Sequence, residues 1–432
     1  MNKNIKKKDL EFIWHPFTKH NAFYDPIVIS SAKDEKIFDQ EGKQYIDLIS
    51  SWWVNTHGHC KKKIIDAVTK QMKLFEQVLF TDFTHEPATS LAEKLVSILP
   101  NNLKRVFYSD NGSTAVEISM KVALQYWYNK GHKKKKFVAM KGNYHGDTFG
   151  AMSVGSTSGF YEPFRDFFID STFISFPSIW RGKNDFEKEE NFALKEVDEV
   201  LDKSKDEIAA VIFEPLVQGA SGMNICRKEF FEKVVSKFKK AGVLVIFDEV
   251  MTGFGRTGKM FACDYLNEKP DIICLAKSLT GGYIPLAATV FSEEIHSAFV
   301  DNDISKAFLH GHSYAANPLA CAAALASIKI FEEENTFKQI NKIISIHEFF
   351  LKKISEKLNV SKIRSLGTIA AFDLNNFNQD YGSDTGNKLK KTFLDNGLLL
   401  RPLGKTIYLM PPFCISESCL EDSYSKIIKI LE

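Results

Sequence analysis

The apolar run from Val243 to Phe247 ends in Asp248-Glu249, and 29 positions beyond Asp248 lies Lys277, set among Leu275, Ala276 and Leu279. An aspartate at a strand end can hold the nitrogen of a pyridine ring in its protonated form, and such a ring drains electrons from an adjoining carbanion. A lysine among apolar neighbours is partly desolvated, which lowers its pKa and leaves a free amine able to act as a base. Taken singly, a salt-bridged aspartate and a snorkelling surface lysine explain either residue equally well. Taken together with the motifs around them, they suit amine chemistry on a carbonyl-bearing ring.

The run Ser109-Asp110-Asn111-Gly112-Ser113-Thr114-Ala115 leads from a strand into an amphipathic segment, Thr114 to Trp127. Backbone N–H groups at a helix start, with Gly112 allowing close approach and the Ser113 hydroxyl beside it, form a phosphate cradle. An ordinary helix cap by Asp or Ser accounts for the same residues. Asn143-Tyr144-His145-Gly146-Asp147 offers an aromatic face for stacking on a ring, with polar neighbours to orient a substrate, or else an ordinary turn. His57-x-His59 and His310-x-His312 carry no carboxylate or thiolate at ligand spacing, so no metal site is expected.

These residues need a scaffold that gathers them. Short β-branched and aromatic runs alternate with longer amphipathic segments, the mark of βαβ units and a mostly parallel sheet. Arg105–Tyr108, Ile208–Phe213 and Val243–Phe247 read as buried strands. Ligands of an open parallel sheet lie beyond the carboxyl ends of its strands, so Ser109–Ser113, Glu214-Pro215 and Asp248-Glu249 are expected to converge. The expected fold is α/β. A large domain covers 60–325, and a smaller α+β domain is built from both chain ends, 1–59 and 326–432. In it, Ile27, Ile37–Asp39 and Tyr45–Asp47 form a hairpin turning at Glu41-Gly42, Ile328–Leu358 is one long helical region, and a helix surrounds Lys388–Phe393.

The 432 residues are 44% hydrophobic and 25% charged, the balance of an ordinary globular protein. A net charge of +2 gives no reason to expect nucleic acid, and the lysine runs at Lys6–Lys8, Lys61–Lys63 and Lys133–Lys136 read as solvated faces. Seven scattered cysteines without a C-x-x-C spacing suit free thiols in a reducing compartment. No apolar run follows the polar start before Trp14, and the most apolar helical stretch, Leu319–Ile328, is too short to span a bilayer. A cytoplasmic protein is expected.

Phe247-Asp248-Glu249-Val250-Met251-Thr252-Gly253-Phe254-Gly255-Arg256-Thr257-Gly258, and Lys277 followed by Gly281-Gly282, resemble the signature of the class III aminotransferases of PLP fold type I. Trp14–Thr18, Ser50–Gly58, Tyr144–Thr148 and Leu400–Pro412 resemble the branch of that class that aminates 8-amino-7-oxononanoate in biotin synthesis, with S-adenosylmethionine as the usual donor. The resemblance covers about residues 12–415.

It implies pyridoxal 5′-phosphate as cofactor, Lys277 as its covalent anchor and catalytic base, and Asp248 as partner of the ring nitrogen. Gly112 and Ser113 hold the phosphate, and Tyr144 stacks near the ring and faces substrate. Trp52 and Trp53 line the substrate channel, and Arg401 meets the substrate carboxylate. The resemblance also implies a homodimer in which Ser313 completes the phosphate site across the interface, approached by the backbone at Gly311 and His312. A nine-carbon keto acid, with a carboxylate at one end and an amino ketone at the other, suits an arginine, an aromatic wall and a reactive lysine in that order. Two positions depart from the branch. Phe17 stands where a substrate-recognising tyrosine is usual, and Gly311-His312-Ser313 where Gly-Pro-Thr is common. Both variants also occur in a lysine-using branch, so lysine is the alternative donor. Another class III ω-amino acid aminotransferase is the alternative activity.

Overall fold

The computed structural model describes residues 2–20, 25–156, 159–377 and 384–432. Its largest sheet has seven strands: β1 Leu103–Ser109, β2 Lys136–Met140, β3 Ser171–Ile174, β4 Ile208–Phe213, β5 Leu244–Asp248, β6 Ile272–Leu275 and β7 Ala287–Ser292. They lie in the order β1-β7-β6-β5-β4-β2-β3. Four of the six pairings are parallel, and β7 runs antiparallel to both β6 and β1. β1 therefore points the same way as the parallel strands, and the carboxyl ends of β1, β2, β4, β5 and β6 share one edge.

Strands β4 and β5 are buried along their whole length. Alternate side chains enter opposite cores: Val211, Phe213, Val245 and Phe247 join one cluster, while Ala210, Ile212, Leu244 and Ile246 join the other. Burial of both faces is why these segments read as continuous apolar runs without a polar alternation. The helix Gly112–Asn129 packs over β4, β6 and β7, and Lys228–Lys240 packs on β5.

Both ends of the chain meet in a second sheet. Ile29–Lys33, Lys36–Asp39 and Gln44–Asp47 form an antiparallel set, and Leu398–Leu399 pairs in parallel with Ile46–Asp47. A third sheet holds Val360–Leu366, Ile369–Leu374 and Thr406–Leu409. The region expected as one helix over 328–358 is two helices, Pro318–Glu333 and Thr336–Lys357. Asn335 breaks it, with φ at 53°, the left-handed region that a continuing helix does not admit. The helix expected around Lys388–Phe393 covers Asp384–Asp395, and a second helix that was not expected follows at Glu417–Leu431. All seven cysteines are free, and among the described residues no helix is long and apolar enough to cross a membrane.

Candidate active site

At the shared strand edge lies a cavity of about 480 Å³, lined from five strand ends by Asp110–Ser113, Tyr144–Gly146, Glu214, Asp248 and Lys277. The convergence expected from the parallel strands is thus present at Asp110–Ser113, Glu214 and Asp248, whereas Glu249 turns away and its carboxylate accepts from Thr252 Oγ1, Ala262 N and Cys263 N. After β1 the helix Gly112–Asn129 is capped by Asn111, whose Oδ1 accepts from Thr114 N at 3.1 Å. The first N–H groups of a helix have no carbonyl within it to meet, and here they open towards the cavity beside the Ser113 hydroxyl. Glycine is required on both sides of this cradle. A Cβ at Gly112 would lie 2.8 Å from Val250 Cγ1, and one at Gly146 would collide with Ser113 Oγ.

Lys277 follows β6 with φ at 45°, a left-handed conformation that costs a non-glycine residue energy and is tolerated where surrounding structure enforces it. Its Nζ lies 5.4 Å from the centre of the Trp53 ring. Burial lowers its pKa, against the opposing pull of Asp248 and Glu214. The amine is thereby biased towards its uncharged form. Asp248 is buried at the end of β5; its Oδ1 accepts from Val250 N at 3.0 Å and its Oδ2 lies 2.7 Å from His145 Nδ1. Burial pushes the Glu214 carboxyl up to about 7, lowered by His145 and raised by Asp248, while its oxygens accept from Tyr144 N and Gly219 N at 2.9 and 3.0 Å. The Tyr144 hydroxyl donates to Asp147 Oδ2 at 2.8 Å, and burial and then Asp147 raise its pKa.

The tryptophan pair divides. Ser50, Ser51 and Trp53 all have positive φ, and this kink turns Trp53 inward while Trp52 stays exposed. Trp53 Nε1 donates to Tyr408 OH at 3.0 Å and its ring lines the cavity. Trp52 instead forms a layer outside it, with the Arg401 guanidinium 4.2 Å above its ring and Phe17 5.6 Å away. Phe17, Trp52 and Arg401 are therefore brought together with one another, but do not line the cavity itself. Gly311 and Ser313 are exposed, and Gln77 Nε2 donates to the Ser313 carbonyl at 3.2 Å. His312 Nδ1 lies 2.8 Å from Asp110 Oδ2 of the same chain.

Two residues at the site were missed by sequence reasoning as individual functional groups. His145 was read only as part of a turn or a polar rim, and Gln218 not at all. Nothing in their spacing marks them, since both reach the site by tertiary packing from β2 and from the segment after β4.

The chain matches the family model "Aminotransferase class-III" over residues 18–431. It is 43% identical over 420 residues to the adenosylmethionine-8-amino-7-oxononanoate aminotransferase of Synechococcus elongatus, covering 97% of this chain and 98% of that protein. The enzyme of the same name from Methanocaldococcus jannaschii has a solved structure that superposes with a TM-score of 0.92 at 35% identity, covering 100% of this chain and 99% of that one. An amine transaminase from an uncultivated Pseudomonas species, in its PLP-bound form, superposes with a TM-score of 0.88 at 29% identity, covering 97% of each chain. The donor set suits that cofactor: an anion cradle closed by two obligatory glycines, a buried carboxylate, and a desolvated amine face one cavity. With a family match over nearly its whole length, the chain belongs to the class III aminotransferases and takes pyridoxal 5′-phosphate as its cofactor.

Proposed function

We propose that the chain aminates 8-amino-7-oxononanoate to 7,8-diaminononanoate in biotin synthesis, with S-adenosylmethionine as donor. The observation that carries this reading is the near-full-length identity of 43% to an enzyme named for that reaction. Pyridoxal phosphate, when bound, supplies an electron-poor ring that takes up the donor's amino group and passes it to the keto group. Lys277 holds the cofactor between turnovers, and as a free amine moves the proton to and from the substrate carbon. Asp248 stabilises positive charge on the ring nitrogen, and Tyr144 covers the ring. Gly112 and Ser113 bind the phosphate, completed by Ser313 of the partner subunit with the backbone of Gly311 and His312 of the partner subunit close by. Exposed Gly311 and Ser313, flanked by the exposed side chains of Leu309 and Tyr314, support this homodimer. Trp52 and Trp53 form the channel wall, with Phe17 against Trp52 and Arg401 over it. Residues 1–59 and 326–432 form the smaller domain around 60–325, a division supported by the pairing of Ile46 with Leu398. The free cysteines support a cytoplasmic location.

The donor is read from a single half-reaction. The yellow holoenzyme is mixed with one donor at a time and its absorbance is followed. S-adenosylmethionine should bleach it at lower concentration than lysine. Bleaching by lysine with none by S-adenosylmethionine would transfer the donor role to lysine, a reading that Phe17 favours because it lacks the hydroxyl usual at that position.

Arg401→Ala is expected to weaken use of the keto acid by roughly 1.5–3 kcal/mol, or about 10–150-fold in kcat/KM, the worth of a hydrogen bond to a charged group. Attachment of the cofactor should be unaffected. A methyl ester that reacts with the unaltered enzyme as well as the acid does would show that no such contact forms.

A further inference from the structure

The side chain of His145 has no solvent-accessible surface, and its Nδ1 lies 2.7 Å from Asp248 Oδ2. Which ring nitrogen carries the proton is decided on the far side of the ring. There Nε2 lies 3.0 Å from Asn143 Nδ2. That amide cannot turn over, because the same nitrogen donates to the backbone carbonyl of Ile212 at 3.3 Å and the amide oxygen accepts from Gln218 Nε2 at 2.6 Å. Gln218 is fixed in turn. Its Nε2 donates to the backbone carbonyl of Lys141 at 3.0 Å, and this contact alone holds its orientation, because the Ser221 hydroxyl gives its one proton to the Gly142 carbonyl at 2.8 Å. A backbone carbonyl only accepts, so flipping either amide would set oxygen against oxygen. Asn143 therefore presents an N–H to His145 Nε2, which must meet it with a lone pair.

We propose that Gln218 and Asn143 lock His145 in its neutral form with the proton on Nδ1, so that Asp248 keeps its full negative charge for the cofactor ring. Two carboxyl groups, those of Asp248 and Glu214, face His145. The Lys277 amine, which feels both carboxyls, faces the same space. An imidazolium against Asp248 would offset the negative charge on which the ring nitrogen depends. The lock prevents this, because a proton on Nε2 would stand N–H against N–H with Asn143. His145, Asn143 and Gln218 are thus positioning residues that act through Asp248, and the inference rests on the reading of Asp248 as partner of the ring nitrogen.

Nitrogen-15 NMR of the holoenzyme with labelled histidine tests the lock, with His145 assigned by the signal lost in His145→Gln. At neutral pH the unaltered enzyme should show a protonated Nδ1 and an unprotonated Nε2. Asn143→Asp keeps the size of the side chain but places an acceptor at Nε2. Both ring nitrogens should then be protonated, and kcat should fall by roughly 10–100-fold, part of the 10²–10³ that loss of one electrostatic stabiliser costs. A proton on Nε2 in the unaltered enzyme overturns the lock, as does an imidazolium in Asn143→Asp with undiminished kcat. Should Asn143→Asp not fold, the spectrum of the unaltered enzyme decides alone. Full activity of Asp248→Asn would instead remove the ring-partner role of Asp248 and leave the tautomer as measured.

Discussion

Lys277→Ala should reduce turnover by at least roughly 10²–10⁴-fold, the contribution of one positioned proton-transfer group. Loss of the covalent anchor adds to this, so no steady-state rate above that of free cofactor is expected. Burial lowers the Lys277 pKa and so favours the free amine that a base requires, and among the described residues no other lysine lines the cavity. Lys259 donates to the Asp264 carbonyl over the Tyr265 ring, and Lys405 lies 4.0 Å from Asp373. Borohydride treatment of the holoenzyme should fix the cofactor to the peptide containing Lys277, and label on Lys259 or Lys405 in its place would refute the assignment.

Asp248→Asn should retain part of the cofactor yet lose roughly 10²–10³-fold in kcat, because a neutral amide cannot hold a proton on the ring nitrogen. The change is small in shape. The contact to Val250 N survives through the remaining oxygen, but the new amide nitrogen then faces the Nδ1 proton of His145, so some loss of stability should accompany the larger loss of rate. Steady-state kinetics beside a thermal melt separate the two effects. A near-normal rate in a folded Asp248→Asn enzyme would show that another group serves the ring.

Much of this architecture was legible before any coordinates. Ile208–Phe213 emerges with the bounds read from the sequence, because a fully buried strand must be apolar on both faces and Glu207 and Glu214 delimit it. The convergence of Ser109–Ser113, Glu214 and Asp248 followed from strand direction alone. The antiparallel course of Ala287–Ser292 left a trace that went unused: the connector 276–286 is shorter than the dozen or so residues that a parallel crossover needs. The break at Asn335 left none, since one left-handed residue does not disturb hydrophobic periodicity. Nor did the roles within Asn143–His145. A turn and a hydrogen-bonded relay use the same residue types, and only the placing of β2 beside β4, which in turn lies beside β5, brings His145 to Asp248. Trp52 and Trp53 show a further limit, because adjacent tryptophans look alike in sequence and the kink at Ser50–Trp53 sends them to different places.

The pairing of Leu398–Leu399 with Ile46–Asp47 also sets a timetable for biosynthesis. Ser50 and the Met410 carbonyl it donates to, next to that seam, are 360 positions apart in the chain. At the usual 5–20 residues per second, a ribosome needs roughly 20–70 s between making the first of these and the second. Throughout that interval the strand Gln44–Asp47 has one complete neighbour and one bare edge, the kind of template on which chains aggregate. Two features suit a long wait: Gln44–Asp47 is only four residues long, and Lys43 stands at its start. The nascent chain is thus guarded along the edge that Leu398–Leu399 later covers.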